Sequence, residues 1–373
     1  MEKPLKTILV GAGGYGANYV NYLLNDDMAQ RFNFAAVVDP FADKSSVYER
    51  FKDVVPIYVS LSDFFSKDTA DLTVISTPLF LHYEQCVSAM ENGSHVLCEK
   101  PLVPTLDELD RLAAVEKATG RKLSVGFQWC YSQVIHSLKM RILAGEFGKP
   151  LSMKTLVCWP RNWQYYARSG GWAGKMYTQS GRAVYDSVIS NATAHYIQNI
   201  LFLLGSDMYL SAEMNEFTAE CTRANDIETF DTIILRGRAA GAKVFYAASH
   251  AVNHQIGPIM DYTFEKARVT INMYKDDYHV WVHHKDGRVE NLGIAFGNGD
   301  INRLTHTAEW INGARSWACS SKTVRPFTAL IDSVFNQPGF KVFPETDIVR
   351  DSENEITYVR NLHLDLMDIF NRE

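Results

Sequence analysis

The sequence predicts an α/β protein whose N-terminal part is a doubly wound parallel sheet, followed by an α+β domain with a large, mostly antiparallel open sheet. Three observations carry this expectation. Short apolar runs alternate with helix-length segments over the first 127 residues, the texture turns β-rich after about residue 150, and 373 residues exceed what one hydrophobic core usually supports. Two domains are expected, residues 1–127 and 128–373.

Residues 6 to 10 (KTILV) and 33 to 38 (NFAAVV) are apolar runs flanking a helix-length segment, a β-α-β pattern. The pattern recurs, with strands at 72 to 76 (LTVIS) and 95 to 98 (HVLC) around a helix over 80 to 92 that Asn92 and Gly93 stop. Thr105 and Glu108 form a capping box opening a helix with apolar positions Leu109, Leu112, Ala113 and Val115, which ends near Gly120. KLSVGF at 122 to 127 is the last strand of this half. Strands this short and apolar, separated by helices, belong in a parallel sheet covered on both faces. Beyond residue 150, DTIILR (231–236), KVFYAAS (243–249) and HVWVH (279–283) are β-branched or alternating runs with Asp-Gly and Asn-Gly turns, the mark of antiparallel strands. A long helix is expected over 188 to 204, and a helical tail over 346 to 373.

Composition narrows the function. Lys plus Arg number 37 against 43 Asp plus Glu, a net charge of -6, and no basic run could follow a phosphate backbone, so nucleic acid is not an expected partner. The N-terminal apolar stretch is too short for a signal-peptide core, and no run approaches the roughly 18 apolar residues of a membrane helix, which points to a cytoplasmic protein without a membrane partner. Six scattered cysteines with no CxxC pair suit reduced thiols, most of them small core residues. His283 and His284, adjacent in a strand, point to opposite faces and cannot share an ion, and no zinc pattern or GxSxG nucleophile motif is present, so no metal is expected.

The first strand runs into Gly11-Ala12-Gly13-Gly14-Tyr15-Gly16, a GxGxxG between strand and helix. Gly11 permits the tight turn, Gly13 lets the backbone approach a pyrophosphate, and Gly16 lets the helix pack closely on the sheet. The helix N-terminus attracts the phosphates. This is the Rossmann fingerprint, with Gly11, Gly13, Gly14, Tyr15 and Gly16 as candidate cofactor contacts. Asp39, 23 residues after Gly16 at the end of the second strand, is placed to accept from both ribose hydroxyls. A carboxylate there repels a 2′-phosphate, so NAD is expected over NADP, with Lys44 the nearby cation that could serve NADP.

Residues 74 to 101 (VISTPLFLHYEQCVSAMENGSHVLCEKP) resemble the signature of the Gfo/Idh/MocA family, relatives of glucose-fructose oxidoreductase and inositol dehydrogenase. The resemblance rests on Thr77-Pro78 after a strand, His82 at the next helix start, a helix ending in Asn-Gly, and Glu99-Lys100-Pro101. It implies that these residues line the cofactor, that Lys100 lies beside the nicotinamide and the substrate hydroxyl, and that the bond before Pro101 is cis. Gln128 stands where the family often has an arginine. From chemistry alone, Lys100 follows a strand end, where such sheets place their ligand crevice, and could stabilise a developing alkoxide.

The family's second signature is an Asp and a His four residues apart on a helix; this chain has Asn191 and His195. Asn191, His195 and Gln198 fall at i, i+4 and i+7 of an apolar helix, a polar stripe facing water or a site. An imidazole is a natural base for an alcohol proton, which assigns His195 as general base. Asn191 can orient the histidine but brings no charge; Asp186 either compensates in part or caps the helix. Residues 158 to 177 hold Trp159, Arg161, Trp163, Tyr165, Tyr166, Arg168, Trp172, Tyr177 and the glycines Gly170, Gly171 and Gly174. Such a loop suits either a sugar-binding pocket, with Trp159, Arg161, Trp163, Tyr166 and Trp172 as contacts, or a core or subunit interface.

The expected function is hydride transfer between nicotinamide and a secondary alcohol of a sugar, inositol or related polyol. By the same resemblance, the alternatives are an NAD-dependent glycosidase working by transient oxidation and a non-catalytic NAD- or sugar-sensing regulator. A homodimer or homotetramer through the second domain's sheet is expected by analogy alone.

Overall fold

The computed structural model describes residues 3–168 and 171–373. They form two compact units, one of residues 3–131 with 300–324, the other of residues 132–168 and 171–299 with 325–373.

The first unit is built on six strands, β1 (Leu5–Val10), β2 (Phe32–Val38), β3 (Ile57–Tyr58), β4 (Leu72–Ile75), β5 (His95–Cys98) and β6 (Leu123–Val125). All pair in parallel, in the order β3-β2-β1-β4-β5-β6. This is the expected doubly wound sheet, and β1 and β4 and β5 are buried almost throughout because helices cover both faces. Local signals work as expected: the Thr105 hydroxyl accepts from the Glu108 amide at 3.3 Å, and helix Leu106–Thr119 ends at Gly120 in a left-handed conformation.

A contiguous division at residue 127 assigns 300–324 to the wrong unit. Leu304 and Ala308 of helix Gly299–Ile311 are buried in the same core as Leu9, Val20, Phe32 and Val37. Burying Leu304 contributes roughly 2 kcal/mol, and Arg31 meets Glu309 at 3.2 Å at the rim. The chain leaves this unit inside helix Ser321–Phe335, next to Pro326.

The second unit contains a nine-stranded sheet: β7 (Pro150–Cys158), β8 (Glu216–Arg223), β9 (Thr232–Ala239), β10 (Ala242–Ser249), β11 (Ile256–Phe264), β12 (Ala267–Asn272), β13 (His279–His284), β14 (Val289–Ile294) and β15 (Lys341–Val342). Its order is β14-β13-β12-β11-β7-β10-β9-β8-β15, with parallel pairing only at β7/β10 and β8/β15. The large, mostly antiparallel sheet is as expected.

Two helix expectations need correction. The helix expected over 188–204 begins only at Ala194 and ends at Leu203. Hydroxyls compete for the backbone ahead of it: Ser190 Oγ accepts from the Ser187 amide at 2.9 Å, and the Thr193 hydroxyl donates to the Val188 carbonyl. The tail from 346 is not helical throughout. Ile348–Asp351 and Ile356–Val359 pair as an antiparallel hairpin before helix Leu362–Arg372. That helix lays Leu362, Leu366 and Phe370 over Leu156, Cys158, Phe245 and Ala247 of β7 and β10, so part of the sheet expected to pair copies carries the chain's own tail. All six cysteines are free and buried. Among the described residues no helix is long and apolar enough to cross a membrane.

Candidate functional site

In the first unit, two of the fingerprint glycines are demanded by the protein's own atoms. Gly11 has φ +85°, and a Cβ there would lie 2.5 Å from the Ser76 carbonyl oxygen; a Cβ on Gly16 would lie 2.0 Å from that of Gly11. Gly13 differs. A Cβ on it meets nothing within 4 Å, nor does one on Gly14, whose φ is +51°. The bare backbone at Gly13 thus serves no internal packing; it leaves the loop open to a close-lying group ahead of helix Gly16–Leu23. Asp39, at the end of β2, is fixed against this loop: one carboxylate oxygen accepts from the Ala12 amide at 2.9 Å, the other from the Phe41 amide at 2.8 Å. Lys44 sits with its ammonium 5.0 Å from the centre of the Phe41 ring.

The ends of β4 and β5 are tied together by a buried histidine. His82 Nδ1 lies 2.9 Å from the Pro101 carbonyl and 3.2 Å from that of Leu102, and Nε2 lies 2.9 Å from that of Thr77. Burial lowers its pKa, with the three carbonyls pulling the other way. The ring thereby holds Thr77-Pro78 to the turn after Lys100, and the Thr77 hydroxyl donates to Gln85 at 2.6 Å. The Lys100-Pro101 bond is cis. Glu99 points inward, its carboxylate accepting from Tyr19 Oη at 2.7 Å and Arg303 Nη1 at 2.5 Å. Gln128 is half-buried in a short turn, Gln128–Tyr131, just after β6.

Arg303 is the residue that sequence reasoning missed. Its side chain is 0 % exposed, sits 4.7 Å from the Tyr15 ring centre and 5.0 Å from that of Tyr19, and also meets Asp300 at 3.1 Å. Burial opposes its charge, but Tyr19, Glu99, Tyr15 and Asp300 outweigh that and raise its pKa. Tyr15, expected at the cofactor, gives its hydroxyl to Asp300 at 2.9 Å while the residue remains 38 % exposed. The one signal in the sequence was an arginine on the apolar side of an otherwise ordinary amphipathic segment.

In the second unit the expected polar stripe does not form. Asn191 precedes the helix, and Gln198 turns inward, 1 % exposed, donating to Ser211 Oγ at 3.1 Å. His195 is half-buried in the first turn. Asp186 does not cap the helix. Its carboxylate accepts from the Gly174 amide at 2.6 Å and from Asn191 Nδ2 at 2.8 Å, and that same Nδ2 lies 3.4 Å from Tyr165 Oη.

The aromatic loop divides. Arg161 and Arg168 both gather on the Tyr165 ring, 4.9 and 4.0 Å from its centre, and Arg168 also stacks 4.1 Å from Trp172. Tyr166 packs edge-on against Tyr165, and Trp159 stands edge-on to Tyr196 while its Nε1 donates to the Gly257 carbonyl. Trp163 is turned elsewhere, donating to Thr357 Oγ1 at 3.0 Å. Gly174 is packed under Ile227, where a Cβ would come within 2.6 Å, whereas Gly170 lies outside the described residues.

Residues 5–127 match the family model for the Gfo/Idh/MocA oxidoreductases, an NAD-binding Rossmann fold. In this domain the chain is similar to the Gfo/Idh/MocA oxidoreductases. Among curated relatives of the family it is similar to inositol 2-dehydrogenase of Corynebacterium glutamicum, 26% identical over 207 residues, 55% of this chain and 56% of that one. Inositol 2-dehydrogenase of Renibacterium salmoninarum is 31% identical over 159 residues, 42% of this chain and 46% of the relative. The chain thus spans about half the length of the curated relatives it matches. Two solved structures share the fold: the WlbA dehydrogenase of Bordetella pertussis in complex with NADH and UDP-GlcNAcA (TM-score 0.73, 20% identity, 89% of this chain and 95% of that one), and levoglucosan dehydrogenase in complex with NADH and levoglucosan (0.71, 18%, 88% and 95%).

The family's cofactor fits what is present. The residues present are compatible with a dinucleotide: the backbone at Gly13 is unobstructed, and the Asp39 carboxylate is held against the same loop. The two kinds of glycine separate under substitution. Gly16→Ala is expected to cost roughly 3 kcal/mol or more of stability, whereas Gly13→Ala should melt within about 2 °C of wild type yet bind NAD at least about tenfold more weakly. Thermal melts with and without NAD check both, and a Gly13→Ala protein stabilised by NAD as wild type is would refute the role of Gly13.

One acidic cluster lies beside β13 and β14. Glu146, His284 and Glu290 come together, but Arg141 lies among them, with Nε 2.7 Å from Glu146 and Nη1 3.0 Å from Glu290. His283 turns to the other face, beside Thr270 at 3.2 Å.

Proposed function

We propose that the protein is an NAD(H)-dependent dehydrogenase acting on a secondary alcohol of a sugar, inositol or related polyol. The observation that supports it most is the convergence at one sheet end of the Gly13 backbone, the fixed Asp39 carboxylate and the Glu99-Lys100-cis-Pro101 turn. NAD, when bound, supplies the nicotinamide carbon that exchanges hydride with the carbinol carbon. Asp39 selects the cofactor, accepting from ribose hydroxyls and repelling the extra phosphate of NADP. Lys100 donates to the reacting oxygen and lowers the cost of its negative charge. His195 takes the hydroxyl proton in oxidation and returns it in reduction. Asn191 brings no charge of its own, but it is bonded to the Asp186 carboxylate, so a buried negative charge stands one residue behind the place where the family carries it.

The test is absorbance at the reduced-nicotinamide band while protein and NAD are mixed with inositols, aldoses, sugar acids and amino sugars. Growth with one substrate class is expected, with kcat falling about 10²–10⁴-fold in His195→Ala. A protein that binds NAD but reduces it with no member of the panel would overturn the reading.

A further inference from the structure

We infer that the second unit holds a carboxylate-binding subsite formed by Arg161 and Arg168, so that the substrate is a sugar acid rather than a neutral polyol; this rests on the dehydrogenase reading above. Both guanidinium groups gather on Tyr165, whose hydroxyl lies 3.4 Å from Asn191 Nδ2. No carboxylate of the described residues forms an ion pair with either, and although Arg168 also hydrogen-bonds the Tyr165 hydroxyl, Arg168 Nε, Arg168 Nη2 and Arg161 Nε are buried without a partner. A guanidinium withdrawn from water costs free energy unless an anion compensates it.

The unsatisfied edge identifies the anion. Elsewhere in this chain the Nε and Nη2 edge of arginine takes a carboxylate side-on: Arg268 holds Asp261 with both atoms at 2.8 Å, and Arg141 presents the same pair to Glu146. Arg168 offers that edge and has no acid on it. The nearby carboxylate, Asp186, is taken up by the Gly174 amide and Asn191.

The surroundings suit the remainder of a sugar acid. His250 Nδ1 lies 2.7 Å from the Trp159 carbonyl, to which it donates, while Nε2 is buried without a partner. Burial, then the charges of Arg161 and Arg168, push the pKa of this ring down to about 3, so Nε2 is an acceptor for a hydroxyl. Tyr166 Oη is likewise buried and unpartnered. Trp159 and Trp172 flank the two guanidinium groups, 6.0 Å from Arg161 and 4.1 Å from Arg168, and give a ring two apolar faces to lie against.

The experiment compares matched pairs, glucose with glucuronate and galactose with galacturonate, together with glucose 6-phosphate. NAD reduction measures turnover, and tryptophan emission of the NADH-loaded protein measures binding, since Trp172 packs on Arg168. The acid of a pair should exceed its neutral partner in kcat/KM by about 100-fold, and Arg168→Met should shrink that preference by roughly tenfold or more. Saturable emission change with the acid, lost in Arg168→Met, but without NAD reduction, would keep the subsite and sink the dehydrogenase reading. Oxidation of neutral sugars by a protein indifferent to the acids would do the reverse. Preference for the phosphate over both uronates, or no emission change with any of them, overturns the carboxylate assignment without needing the variant.

Discussion

The Lys100→Met protein is expected to retain NAD binding within about threefold and to lose roughly 10²–10³ in kcat, the effect of deleting one donor aimed at a developing oxyanion. The substitution keeps the length and the apolar stem of the side chain. It also spares what holds the turn, because the backbone around residue 100 is fixed by His82 against the Pro101 and Leu102 carbonyls and by Glu99 against Tyr19 and Arg303, none of which uses the Lys100 ammonium. The loss should therefore fall on kcat more than on KM, and single-turnover hydride transfer at saturating substrate measures it. An undiminished rate in Lys100→Met would remove Lys100 from the chemistry and with it the reading of Glu99-Lys100-Pro101.

Arg303→Met should cost the first unit about 3–5 kcal/mol of stability, since it strands the Glu99 carboxylate in a buried setting. Thermal and urea melts report it. The reasoning makes a second demand: Glu99→Gln combined with Arg303→Met removes both charges, and the pair should recover part of the loss. A double variant that melts below the single one would show that Arg303 stabilises through its ring contacts with Tyr15 and Tyr19 and not through its charge. Because Glu99 precedes Lys100, the single variant should also lower kcat.

What could be read in the sequence was local. The capping box at Thr105, the left-handed Gly120 and the buried runs of β1, β2, β4 and β5 each carry their reason within a few residues. The glycine fingerprint was legible for the same cause, since turn, approach and packing are properties of consecutive residues. Arg303 was not, because Glu99, Tyr15 and Tyr19 lie 204 to 288 residues away and a 13-residue amphipathic helix does not announce which core it enters. The stripe of Asn191, His195 and Gln198 had the right period but the wrong helix start, which was decided by hydroxyls at Ser190 and Thr193 that outbid the helical pattern. The tail hairpin was missed because its strands are only four residues each.

The return of residues 300–324 to the first unit also has a consequence for how the protein is made. The sheet β1 to β6 leaves the ribosome early, but its core lacks Leu304 and Ala308 and its inward-pointing Glu99 lacks a counter-charge until more than 170 further residues have been translated. At ordinary elongation rates that interval is roughly 10–40 s. During it the nascent Rossmann sheet is the less finished of the two units, although its synthesis began first. A gene fragment ending at residue 131 would freeze the chain in that state, so the nucleotide-binding half should be produced alone only as residues 1–131 joined by a short linker to 300–324.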